Sequence, residues 1–179
     1  MLSEMAKVIG DADISFVNLS PSLLTSVEAS VRPSSAKIAE LLARKPGKEV
    51  KGLTKFLDDA AGLQIEMAIG TSAPRSNVDF VLKRTGIGKY FSAILDESHV
   101  NHGKPNPEIY INCAAALNYP TSKCIVFEDS LSGVAAGRAA GSQVVGVATT
   151  HTPEELGTKV VIKDFTEITP SQLQREFKS

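Results

Sequence analysis

The stretch CIVFEDSLSGVAAGRAAG, residues 124–141, sets two adjacent carboxylates, Glu128 and Asp129, directly behind a short apolar, β-branched run. Neighbouring acids repel each other unless a cation or hydrogen bonds neutralise them. Three other runs end in side chains of complementary chemistry. Asp11 and Asp13 follow Lys7–Gly10, Thr71 and Ser72 follow the run that closes in MAIG, and Lys104 lies in HGKPNPEIY. Carboxylate oxygens suit a hard divalent cation, while an ammonium group with hydroxyls or backbone N–H groups suits a phosphoryl group. Each feature also has a plain structural reading. A DxD after a strand is commonly a solvated turn, Thr71-Ser72 can cap a helix, Lys104 can be an exposed loop lysine, and Asp129-Ser130 can be a capping turn.

These side chains act together only if the elements before them end on one edge. The pattern predicts that. Lys7–Gly10, Ile65–Ile69, Phe91–Leu95, Cys124–Phe127, Gln143–Ala148 and Val160–Ile162 read as short buried strands. Helical spacing separates several of them: Leu53, Phe56, Leu57 and Ala60 before Gly62; Val78, Val81 and Leu82 before Thr85-Gly86; and Ile109, Cys113, Ala116 and Leu117 after Pro107. Ser130–Gly133 reads as a turn before a small-residue helix over Val134–Ala140, and TPSQLQREF as a terminal helix. Alternating strands and helices predict an α/β fold, a Rossmann-like parallel sheet with helices on both faces. Open sheets of this kind bind ligands outside the carboxyl ends of their strands.

Residues 18–49 interrupt the rhythm with two Pro-bounded helical segments. They read as a reduced helical cap inserted into a core made of residues 1–17 and 50–179. The chain's 179 residues suffice for one packed domain with such an insertion. A net charge of −1 leaves no field to recruit nucleic acid or an anionic membrane. No run is long enough to span a bilayer, and MLSEMAKVIGDAD lacks a signal-peptide pattern, so a soluble, cytoplasmic protein is expected. Cys113 and Cys124 lie in apolar patterns and read as core residues.

The order Asp11-x-Asp13, Thr71, Lys104, Glu128-Asp129 resembles the four motifs of the haloacid dehalogenase superfamily, and within it the β-phosphoglucomutase-like branch. VIGDADISFV resembles the first motif, MAIGTSAPRSNV the second, VNHGKPNPEIYINCAAALN the third and CIVFEDSLSGVAAGRAAG the fourth. The resemblance implies roles. Asp11 would be the nucleophile and Asp13 the general acid and base. Thr71 and Ser72 would bind the phosphoryl oxygens, with Lys104 neutralising charge. Asp11, the Asp13 carbonyl and Asp129 would hold Mg²⁺, with Glu128 direct or through water.

The first motif departs from the family pattern. Gly10 stands where Phe is usual, Ile14 where Gly is usual after the second acid, and Ser15 replaces Thr. A β-branched residue disfavours a left-handed turn. The expected activity is Mg²⁺-dependent hydrolysis of a small phosphorylated metabolite through an aspartyl-phosphate, by a monomer or weak homo-oligomer. A phosphomutase needs a larger cap to shield the intermediate from water. The alternative from another class is a catalytically impaired binding or scaffold domain of the same fold.

Overall fold

The computed structural model describes residues 15–17 and 50–177. Six parallel strands form one sheet in the order β3-β2-β1-β4-β5-β6. They are β1 (Ser15–Val17), β2 (Met67–Gly70), β3 (Ala93–Leu95), β4 (Cys124–Glu128), β5 (Gln143–Val147) and β6 (Val160–Ile162). The helices between them are α1 (Leu53–Gly62), α2 (Arg75–Thr85), α3 (Glu108–Ala116), α4 (Leu131–Ala139) and α5 (Pro153–Leu156). α6 (Pro170–Glu176) closes the described chain.

Strand β4 shows why the sheet is covered twice. Its side chains alternate between faces, as a pleated backbone requires. Ile125 and Phe127 join Leu53, Phe56, Leu57, Val81, Phe165 and Leu173, from α1, α2, the chain before α6 and α6 itself. Cys124 and Val126 join Tyr110, Cys113, Val134 and Leu156, from α3, α4 and α5. Phe56, Phe127 and Phe165 meet with ring centres 5.1–5.5 Å apart. A strand buried on both faces reads as an unbroken apolar run, which is how CIVF reads.

Helix ends follow the turn chemistry of the sequence. Gly86 closes α2 with a left-handed φ of +70°. Thr169 caps α6 in a reciprocal pair with Gln172. Both cysteines are buried thiols, and burial pushes Cys113 up to about 12. Among the described residues, no helix is long and apolar enough to cross a membrane.

Two expectations change. The strand paired between β2 and β4 is Ser15–Val17, not Lys7–Gly10, which lies outside the described residues. Ser15, which replaces the usual Thr of the first motif, is the first residue of β1 and stands level with Cys124. Phe16 and Val17 are strong strand formers, whereas the KVIG run ends in a glycine. The small-residue helix also begins earlier than expected, at Leu131, because Ser130 accepts the Gly133 N–H and acts as its N-cap. The cap reading for residues 18–49 falls outside the described residues.

Candidate active site

The register sets the site. Val17 of β1 is level with Ala68 on one side and Val126 on the other. Two residues on, Gly70 and Glu128 reach the same height, and Thr71 then stands level with Asp129. The two chains are separated by one strand position each side of β1, about 10 Å in all. Gly146 of β5 pairs with Glu128, so the exit of β5 flanks Asp129 directly. Four expected residues, Thr71, Lys104, Glu128 and Asp129, therefore share one edge.

Glu128 is fully buried. The Lys104 ammonium donates to its Oε1 at 2.5 Å. The buried Tyr110 hydroxyl donates to the same oxygen. Ser130 donates to Oε2 through its hydroxyl at 3.0 Å and its amide at 3.3 Å. Tyr110 also offers its ring to Lys104, whose Nζ lies 4.9 Å from the ring centre. Burial pushes the Glu128 carboxyl upward, but the Lys104 charge and these hydrogen bonds outweigh it and hold the group below its ordinary value. A methyl group on Gly133 would stand 1.9 Å from the Glu128 carboxyl carbon. Only glycine leaves this cradle. Gly137, one helical turn on, lets α4 approach Val126 and Val144, at 3.3 and 2.9 Å from its built Cβ. These small residues are what lets α4 lie over the acid pair.

Asp129 is also buried and is held differently. Thr149 donates its hydroxyl to Oδ2 at 3.2 Å. The Asp129 carbonyl accepts from the Thr150 hydroxyl at 2.6 Å and from His151 Nδ1 at 2.9 Å. On the other side of the edge, Thr71 is buried, its amide donating to the Leu95 carbonyl and its hydroxyl accepting from Ala73 N–H, both at 3.0 Å. The expected helix cap is not found, since α2 begins after Pro74 with no side-chain cap; the Thr71 hydroxyl instead closes a local turn at the edge. Ser72 is exposed. Asp96, level with the same edge beyond β3, is a turn acid: it accepts the amide and hydroxyl of Ser98 and packs against His99.

Asp11 and Asp13 lie outside the described residues. Among the described residues no group of three or more His, Cys, Asp or Glu side chains gathers as a metal site. The donor chemistry still fits a hard cation, because Asp129 brings a buried carboxylate oxygen donor beside the Thr149 hydroxyl and no sulfur. Glu128 fits less well as a direct ligand, since both its oxygens already accept donors. Reading the sequence did not identify Tyr110, Ser130, Gly133 or Thr149–His151 as parts of the site. Tyr110 follows Lys104 within one short motif, but only the sheet order shows that β5 borders Asp129.

A sequence profile for haloacid dehalogenase-like hydrolases matches residues 16–141. The chain belongs to that family. The match begins at Phe16 and spans Thr71, Lys104, Glu128 and Asp129. A validoxylamine A 7′-phosphate phosphatase from Streptomyces hygroscopicus subsp. limoneus is 34% identical over 120 residues, 66% of this chain and 56% of that protein. A fructose-1-phosphate phosphatase from Escherichia coli is 37% identical over 81 residues, 45% of this chain and 43% of that one. A family IA, variant 3 hydrolase of the haloacid dehalogenase type from Entamoeba histolytica superposes with a TM-score of 0.72 at 28% identity, over 79% of this chain and 66% of the other. The chain spans about half the length of the curated relatives it matches.

Proposed function

We propose that this haloacid dehalogenase-like chain is a phosphohydrolase of small phosphate esters, such as sugar or other metabolite phosphates. The observation that carries the reading is the convergence of Thr71, Lys104 and the Glu128-Asp129 pair on one sheet edge, with the ammonium seated on a buried carboxylate. The phosphatase relatives supply the class of substrate.

In this reading Lys104 contributes positive charge to the phosphoryl group while Glu128 fixes its position. Thr71 and Ser72 bind the phosphoryl oxygens from the β2 exit. Asp11 attacks phosphorus as the nucleophile, and Asp13 gives its proton to the departing ester oxygen. A water then attacks the aspartyl-phosphate, passing a proton to Asp13 as the bond to Asp11 breaks. Asp129, with Asp11 and the Asp13 carbonyl, would hold Mg²⁺, which would supply neutralisation of the phosphoryl charge. Glu128 serves as the partner of Lys104.

One observation favours a second reading, a cation- and phosphate-binding domain without turnover. Asp11 and Asp13 precede Ser15 in the chain, and β1 runs parallel to β4 from Ser15 onward. The level of Glu128 lies about 13 Å further along the strand direction. The test is hydrolysis of a panel of phosphorylated metabolites with Mg²⁺, with Asp11→Asn as a control. Turnover lost in the variant supports the hydrolase. Phosphate binding without turnover supports the second reading.

A further inference from the structure

We infer that Thr149, Thr150 and His151 form a positioning clamp for Asp129, a function distinct from their place in a connecting loop. Three consecutive residues at the exit of β5 direct three hydrogen bonds at one acidic residue. Two grip its carbonyl and one its carboxylate, so the backbone orientation and the side-chain direction are fixed together. A carbonyl oxygen only accepts, so His151 carries its proton on Nδ1, and the Thr150 oxygen 2.9 Å away lies within reach of the same nitrogen.

Both ends of the clamp are anchored. Ala148 N–H donates to the Ile162 carbonyl at 2.8 Å, extending the β5–β6 pairing past Val147, and Thr149 N–H turns back onto the Val147 carbonyl at 2.8 Å. At the far end Thr152 caps α5 in a reciprocal pair with Glu155. The loop is therefore held as a rigid arm over Asp129, the last residue before the α4 N-cap. Asp129 follows the final β4 residue, where neither ladder nor helix otherwise specifies the peptide's orientation.

Resting on the reading of Asp129 as the cation ligand, the clamp preorganises that carboxylate. Partners behind a metal ligand typically contribute about 10–100-fold in affinity. Two measurements test this on the full chain. The first is the calorimetric Mg²⁺ dissociation constant of wild type, Thr150→Val, Thr150→Ser and His151→Ala. Thr150→Val and His151→Ala should weaken binding by about tenfold or more, while Thr150→Ser, which keeps the hydroxyl, should bind nearly as wild type. The second is amide hydrogen exchange without metal. Ser130 and Gly133 amides should exchange faster in Thr150→Val and His151→Ala, but not in Thr150→Ser. Equal exchange in all four proteins would overturn the clamp. Faster exchange with unchanged Mg²⁺ affinity would overturn its role toward the cation. If wild type itself takes up no Mg²⁺, the cation reading of Asp129 fails, and the exchange arm alone decides the clamp.

Discussion

At the scale of single residues, the Lys104–Glu128 pair is the energetic centre of the edge. Both groups are out of water, and removing one partner strands the other charge. Lys104→Met should therefore destabilise the fold by about 3–5 kcal/mol, measured by urea unfolding. An unchanged midpoint would mean that the pair contributes nothing net. The same pair sets a pH dependence. The folded protein holds Glu128 below its ordinary value of 4.5, and Asp96 below 3.8, where Ser98 and His99 outweigh the upward push of burial. A depressed folded value means that the unfolded chain takes up protons first. The stabilisation is complete above the ordinary values and drains away as pH falls below about 4.5. Urea midpoints taken from about pH 7 down to about pH 3 should fall in wild type, and Glu128→Gln should flatten that decline.

At the scale of elements, the approach of α4 to the sheet is what permits a buried acid at position 128. Gly133→Ala would drive a methyl group into the Glu128 carboxylate. The variant should lose about 1–3 kcal/mol and, unlike a surface helix substitution, should also weaken the hold on Lys104. A Gly133→Ala protein with wild-type stability would contradict the cradle. The sequence made most of these elements legible because core-facing periodicity survives without tertiary information: all four apolar residues expected on α1 are buried, and Val160–Ile162 is a strand with the expected bounds. It misplaced the central strand because two short runs, KVIG and SFV, compete for one slot. Pairing with β2 and β4 decides between them, and pairing partners are distant in sequence. The Asp129 clamp was illegible for a related reason: Thr149–His151 resemble any polar loop until β5 is known to lie beside β4.

At the scale of the whole molecule, the sheet edge gathers acids that need compensation, so cation binding and folding should be linked. Mg²⁺ at a hundredfold excess over its Kd should stabilise the native state by about 2.7 kcal/mol. Asp129→Ala should abolish that increment in a thermal melt, whereas an intact response would place the cation elsewhere. The family match begins at Phe16 and the edge geometry rests on the described residues, while the proposed chemistry needs Asp11 from the segment before them. The role of Asp11 is therefore tested by steady-state, Mg²⁺-dependent hydrolysis of a generic aryl phosphate and of the metabolite panel by wild type and Asp11→Asn. Wild type should turn over these esters and Asp11→Asn should fall to background, with Mg²⁺ binding retained through Asp129. Equal rates in the two proteins, or no turnover in either, would contradict Asp11 as the nucleophile.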